Sequence, residues 1–327
     1  MEMRVLGRTG ERIGVVGLGA WQLGADWGEV DEDQALRVLS AAADAGVTFI
    51  DTADVYGDGR SEQLVGRFLK SRDTTGITVA TKMGRRVPQR PENYTLDAFR
   101  DWTDRSRKNL GMDRLDLVQL HCPPTPVYST DAVFDALDTL VDEERIAAYG
   151  VSVETRAEAL TAIARPGVAT VQIILNMFRL APLQEVLPAA REAGVGIIAR
   201  VPLASGLLSG RYDENTTFDA DDHRTFNRQG QAFDVGETFS GVDFATGLEA
   251  VQRLAPLVPA DSTMAQFALR WIIDQPGVSV VIPGARTPAQ AQNNAAAAAL
   301  SPLTSEAHEA VTAIYNELIA PQVSHRW

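Results

Sequence analysis

Asp51, Tyr56, Lys82 and His121 each fall at or just beyond the end of an apolar run, and together their types describe an acid site for a carbonyl oxygen. Phe49-Ile50-Asp51-Thr52-Ala53-Asp54-Val55-Tyr56-Gly57 reads as a buried strand that ends on a carboxylate, followed by a short loop carrying a tyrosine. Val79-Ala80-Thr81-Lys82 and Leu117-Val118-Gln119-Leu120-His121 end two further apolar runs on a lysine and a histidine. A tyrosine is a poor proton donor at its ordinary pKa of about 10, and a nearby ammonium favours the phenolate and lowers that value. Lys82 can supply this charge. Asp51 can keep a buried lysine charged, and a histidine beside the tyrosine can orient a carbonyl or share the proton.

Taken singly, each residue has a simpler role: a carboxylate capping a turn, a lysine reaching water, a histidine packed in the turn at Cys122-Pro123-Pro124. Taken jointly, those roles lose ground. Only Lys70, Lys82 and Lys108 among 30 basic residues are lysines, so a lysine retained here points to a role that arginine cannot fill.

These side chains need rigid elements to converge. Short apolar runs fall at 16–21, 47–51, 77–82, 115–121, 146–152, 168–175, 195–201 and 278–282, with helix-period stretches between them such as 34–45, 96–110, 133–144, 156–164, 183–193 and 264–274. An eightfold βα repeat of this kind predicts a parallel sheet with helices outside it, closed as a (β/α)₈ TIM barrel, in which strand ends are the usual seat of chemistry. A small N-terminal β-hairpin over 4–16, turning at Gly7-Arg8-Thr9-Gly10, precedes the first repeat. The stretch 211–244 after the seventh run lacks helical or strand period and is expected to be a lid-like loop. The end, 319–327, with its terminal Trp327, is expected to pack at one side of the barrel mouth.

Composition excludes several classes of function. The 327 residues are 45% hydrophobic and are read as a single barrel domain over 1–327. A net charge of −13 argues against nucleic acid or an anionic membrane surface as partner. Cys122 is the single cysteine, so no intrachain disulfide can form, and no apolar run approaches the ~18 residues that a membrane helix needs. A soluble, cytoplasmic protein is expected.

Five motifs in this order, Phe49 to Gly57, Ala80-Thr81-Lys82, Leu120-His121-Cys122-Pro123, Gly150-Val151-Ser152 and Ile282-Pro283-Gly284-Ala285-Arg286, make the chain resemble an aldo-keto reductase over nearly its whole length. The resemblance implies a (β/α)₈ barrel that binds NADPH without a Rossmann fold. It makes Tyr56 the general acid, with Lys82, Asp51 and His121 in support, and requires no metal. It places Ser152 and Gln172, with Asn176 nearby, at the nicotinamide carboxamide, and Trp21 and Arg200 among the cofactor contacts. Leu203 and Gly206 bound the stretch whose backbone approaches the pyrophosphate, and Gly284, Arg286, Gln290 and Asn294 match the positions at the adenosine 2′-phosphate and adenine. The residues agree with this last group, because Arg286 offers a bidentate fork and a helix opening near Pro288 turns its positive end to the same anion.

Three positions depart from the family pattern: Val153 follows Ser152 where asparagine is frequent, while Arg200 and Leu175 replace frequent aromatics. An arginine plane can stack on a ring, and its charge would favour the reduced cofactor. The expected activity is NADPH-dependent reduction of an aldehyde or ketone to an alcohol. The alternatives are a non-catalytic nicotinamide-binding sensor or channel-associated subunit and, behind it, a Schiff-base lyase using Lys82. Specificity is expected from the loops, including 23–29 with Trp27 and the segment after Pro123; Trp21 and Trp27 belong either to the pocket or to the core.

Overall fold

The computed structural model describes residues 1–24 and 30–326. The chain opens with an antiparallel hairpin of β1 (Met3–Val5) and β2 (Arg12–Gly14). Eight parallel strands follow, β3 (Leu18–Gly19), β4 (Phe49–Asp51), β5 (Thr78–Met83), β6 (Leu115–His121), β7 (Ile146–Ser152), β8 (Val168–Ile174), β9 (Gly196–Arg200) and β10 (Val278–Val281), each hydrogen-bonded to the next in chain order. The last strand returns to the first: Gly17 N–H donates to Val281 O at 2.9 Å, Val281 N–H to Val15 O at 2.9 Å and Gly19 N–H to Pro283 O at 3.0 Å. These bonds close the barrel, and each apolar run read from the sequence overlaps one of its strands, with Thr78–Met83 running one residue past the run at 77–82.

Alternation along the strands sorts the barrel interior into layers, since residues two apart share a face. Phe49, Ala80, Leu117, Ile198 and Val280 form an apolar lower layer, which Leu6 and Ile13 of the hairpin seal from below. One step higher on the same strands stand Asp51, Lys82, Gln119 and Arg200, all buried. The neighbouring register sets Lys82 beside Gln119, His121 beside Ser152 and Ser152 beside Gln172. The polar residues therefore crowd one end of the barrel, while the hairpin occupies the other.

Several of the helices between strands begin on side-chain caps. Asp31 accepts from Gln34 N–H at 2.7 Å at the start of Glu32–Asp44, and reciprocal capping boxes open Arg156–Ile163 (Thr155 with Glu158) and Met264–Ile273 (Thr263 with Gln266). Helices Phe244–Leu254 and Ser305–Ile314 complete the outer wall beyond those read from periodicity. Among the described residues no helix is long and apolar enough to cross a membrane.

The stretch 211–243 is built, although no periodicity announces it. Asp222 caps a single turn, His223–Phe226; Asn227 Oδ1 accepts from Ala232 and Phe233 N–H groups at 2.8 and 3.0 Å; Asp234 caps Val235–Glu237. Asn176 then donates to Ser240 Oγ at 2.9 Å, and Ser205 Oγ donates to Glu237 O at 2.8 Å. Its order thus comes from local side-chain bonds to backbone, which leave no repeat in the sequence. The C-terminal tail joins the same structure, with Ile319 and Val323 fully buried and Gln322 accepting from Asp243 N–H at 2.8 Å. Trp27 and Trp327 lie outside the described residues.

Gly7 marks how closely the hairpin fits the barrel floor. Its φ is +52°, and a Cβ there would lie 2.0 Å from Gly196 N and 2.3 Å from Ala169 O, whereas Gly10, with φ +75°, has open space around it. Gly7→Ala is therefore expected to destabilise by about 3 kcal/mol or more, and Gly10→Ala by about 1 kcal/mol, the cost of the left-handed backbone alone. Urea midpoints of the two variants check this; equal losses would mean that the hairpin yields and does not plug the barrel.

Candidate active site

The barrel end carrying the polar layer opens into a cleft of about 1330 Å³, lined at one end by Trp21, Asp51, Tyr56 and His121 and at the other by Gly284, Arg286 and Asn294. Lys82, 1% exposed, lies directly beneath Tyr56. Its ammonium donates to Asp51 Oδ1 at 2.5 Å, to Thr52 O at 2.9 Å and to Tyr56 Oη at 3.3 Å. The other oxygen of Asp51 accepts from Gln172 Nε2 at 2.8 Å and from Gln119 Nε2 at 3.3 Å. Burial alone would strip the charge from this lysine, but Asp51 and Tyr56 outweigh it and hold the ammonium's proton more tightly than in an ordinary lysine.

The phenol behaves differently from the expectation set by the sequence. Burial pushes the Tyr56 hydroxyl above its usual value, and the Lys82 charge pulls it only part of the way back, with Asp51 and Glu237 opposing. Net lowering by Lys82 is thus corrected: desolvation in the barrel mouth wins, and Tyr56 stays protonated at neutral pH. His121 is also placed differently. Its ring meets the Tyr56 ring edge-on at 5.8 Å between centroids, and among the described residues its Nδ1 is buried with no hydrogen-bond partner. Burial first, then the charges of Arg85, Lys82 and Arg200, push His121 well below the ordinary histidine value. It is a neutral imidazole with unused hydrogen-bonding capacity, which suits it to orienting a carbonyl and not to sharing a proton with Tyr56.

Ser152, Gln172, Arg200, Leu203, Gly206, Gly284, Arg286, Gln290, Asn294 and Trp21 all line the one cleft. Asn176 does not. Its side chain is spent on Val201 O at 2.9 Å, Ser240 Oγ at 2.9 Å and Phe178 N–H at 2.8 Å, so it fixes the chain after β9 and the 211–243 segment. Arg200 is committed as well: it pairs with the buried Glu237 and donates to Val153 O at 3.1 Å. Burial opposes ionisation of Glu237, but the Arg200 charge overcomes it and holds the carboxyl below its usual range. A guanidinium clamped this way is not free to swing as a stacking plane. Trp21 stands against Tyr56, with ring centroids 6.0 Å apart.

The loop after β9 carries local strain. Val201, Ala204 and Ser205 have φ of +51°, +46° and +54°, and Gly206 has +98°. Three non-glycine residues in the left-handed region cost of order 1 kcal/mol or more each, and strain of this kind collects where a loop must keep one shape against a ligand. At the far end of the cleft, Thr287 caps Pro288–Ala296, Gln290 Oε1 accepts from Arg286 N–H at 2.8 Å and Asn294 donates to Gly284 O at 3.1 Å. Among the described residues the Arg286 guanidinium has no ion pair or hydrogen bond, so it stands ready beside a helix N-terminus.

The structure also brings in residues that the motifs did not single out. Gln119 could have been found as the inward neighbour two residues before His121. Arg85, Glu154 and Glu237 stand beyond strand ends or inside the irregular segment, and nothing in their local sequence separates them from surface charges.

The Aldo/keto reductase family model matches residues 15–316. Aldo-keto reductase YhdN of Bacillus subtilis is 31% identical over 89% of this chain and 86% of its own length. Aldo-keto reductase yakc [NADP(+)] of Schizosaccharomyces pombe is 29% identical over 84% of this chain and 81% of its own. Among solved structures, aldo-keto reductase AKR11C1 from Bacillus halodurans, in its holo form, superposes with a TM-score of 0.77 at 25% identity, covering 96% of each chain. With the motif positions of that family gathered in one cleft at the polar end of a closed barrel, the chain belongs to the aldo/keto reductase family and is an oxidoreductase.

Proposed function

We propose that this protein reduces a small aldehyde or ketone to the alcohol with NADPH, and that Tyr56 is the general acid. The observation that carries this reading is the Lys82 ammonium held 2.5 Å from Asp51 and 3.3 Å from the Tyr56 hydroxyl, at the mouth that His121 shares. When bound, the cofactor supplies hydride to the carbonyl carbon. The protein's part is the proton. Tyr56 gives it to the oxygen as negative charge develops there, Lys82 stabilises the phenolate left behind, and neutral His121 offers a hydrogen bond that fixes the carbonyl. A phenol of raised pKa remains a capable donor, because the alkoxide it meets is far more basic.

For the cofactor, the residues offer a consistent fit: a cleft continuous from the acid site to Arg286, an uncommitted guanidinium at a helix N-terminus and a strained loop between them. NADP(+) also appears in the name of the fission-yeast relative. In this fit Arg286 receives the 2′-phosphate, Gln290 and Asn294 shape the adenine end, and Ser152 and Gln172 face the carboxamide. An acidic chain with one cysteine that works with a reduced nicotinamide fits the cytoplasm, where we place it. The lyase reading loses its support, since a Schiff base needs a neutral amine and Lys82 holds its proton tightly.

Tyr56→Phe is expected to lower kcat by about 10²–10⁴ while NADPH affinity stays nearly unchanged, as measured by turnover of an aldehyde panel and by cofactor titration. Near-wild-type turnover would remove Tyr56 as the acid, and a wild-type protein that binds NADPH but reduces no carbonyl would leave a binding protein. The rate of reduction should be level from about pH 6 to 9, because His121 is already neutral and Tyr56 still protonated across that range. A break near the ordinary histidine value would show that the imidazole titrates during turnover.

Arg286→Ala tests the cofactor end. A charge-assisted contact with a phosphate is worth on the order of 1.5–3 kcal/mol, so NADPH affinity should fall roughly ten- to a hundredfold while NADH is barely affected, and the NADPH preference should shrink as salt rises. Equal weakening of both cofactors would make Arg286 a purely structural residue.

A further inference from the structure

Past β5 and β7 the chain places two opposite charges on the wall of the cleft, beside the acid site. Gly84, with φ +112°, turns the chain after Met83 so that Arg85 faces the cleft; Glu154 follows Ser152 by two residues. The Arg85 guanidinium donates from Nη2 to Glu154 Oε1 at 3.0 Å, with 21% and 30% of the two side chains exposed. Both line the cleft with Tyr56 and His121, and the Arg85 charge is felt by His121.

This pair differs from its neighbours in being half used. Arg200 and Glu237 are closed off, their side chains 8% and 9% exposed, and Glu237 has its backbone oxygen held by Ser205. Among the described residues, by contrast, the contact at 3.0 Å is the one polar bond of either side chain in the Arg85–Glu154 pair. Nε and Nη1 of Arg85 and Oε2 of Glu154 remain to be satisfied. The pair is also held in place from behind: Glu158 Oε2 accepts from the N–H groups of Glu154 and Thr155 at 3.1 Å each.

We propose that the Arg85–Glu154 pair is the specificity-determining contact of the carbonyl site, and that it selects small carbonyl compounds bearing hydroxyls on the carbons next to the carbonyl. The inference rests on the reading of Tyr56 and His121 as the carbonyl-binding pair. A hydroxyl is donor and acceptor at once, so it is satisfied where an open N–H and an open carboxylate oxygen stand side by side. An apolar chain would displace water from both charged groups and replace none of their hydrogen bonds, which selects against it. An anionic tail gains little, because the guanidiniums of Arg85, Arg179 and Arg200 are matched by the carboxylates of Glu154, Asp234 and Glu237. Across the cleft, Trp21 and Phe233 meet edge-on at 5.9 Å and offer an apolar surface to the C–H side of such a molecule.

The test compares aldehydes of equal chain length at saturating NADPH: D-glyceraldehyde with propanal, D-erythrose with butanal. The wild-type protein should favour the hydroxylated member of each pair by about tenfold or more in kcat/KM. Arg85→Met and Glu154→Gln should each shrink that ratio to within about threefold, mainly through KM for the hydroxylated aldehyde, with NADPH titration verifying that each variant is folded. Overturning results are a wild-type preference for the apolar member, an unchanged ratio in folded variants, or succinic semialdehyde as the best substrate, which would make Arg85 a carboxylate anchor. Loss of all turnover at bound NADPH in the wild type would instead defeat the underlying reading of the acid site and this inference with it.

Discussion

The buried ion pair between Lys82 and Asp51 is the constraint around which this barrel end is arranged. Two charges taken out of water cost several kcal/mol each, and their attraction offsets this only when geometry is close and the remaining donors and acceptors are met. Both conditions hold: the contact is 2.5 Å, Thr52 O accepts a second hydrogen bond from the ammonium, and Gln119 and Gln172 donate to the second carboxylate oxygen. These groups come from β4, β5, β6 and β8. A pair so dependent on four strands is stable only in a closed barrel with its register intact, so the requirement of the chemistry is also a requirement on the fold.

The same crowding sets the protonation states of the site. Arg85, Lys82 and Arg200 surround His121 with positive charge in a dry setting, which leaves the imidazole neutral, while burial keeps the proton on Tyr56. Two groups that could compete for one proton are thereby driven apart, one far below neutrality and one above it. In the proposed reaction this separation makes the phenol the proton donor and the imidazole the orienting group, a division of roles that neither residue type has by itself.

How much of this was legible depended on whether a periodic constraint lay behind it. The strands and most helices follow from alternation and helical spacing, and Asp51, Lys82 and His121 stood out because each ends an apolar run. The segment 211–243 did not, since Asp222, Asn227 and Asp234 shape it through bonds to nearby backbone that any polar loop could equally form. Asn176 shows the limit on the other side. Its position beside the site was readable, but its three hydrogen bonds, two of them to loop residues 25 and 64 positions away, were not. The direction of the Tyr56 shift failed for a related reason: a nearby lysine can be read from spacing, whereas the depth of burial that outweighs it is a property of the closed barrel mouth.

Arg200 links these observations. At the end of β9 it stands where the family pattern has an aromatic, and its partner, Glu237, comes from the segment that periodicity could not describe. A buried guanidinium in this place needs a buried carboxylate, and the capped turn Val235–Glu237, hung from Asp234 and held by Ser205, is what delivers one. The substitution on the strand and the architecture of the loop are therefore one feature: removing the carboxylate would leave an unpaired charge beside His121, and removing the arginine would leave Glu237 buried without its cation. The loop lines the cleft in a shape tied to that strand-end charge, and the proposed substrate contact falls to Arg85 and Glu154, whose polar contacts are not exhausted.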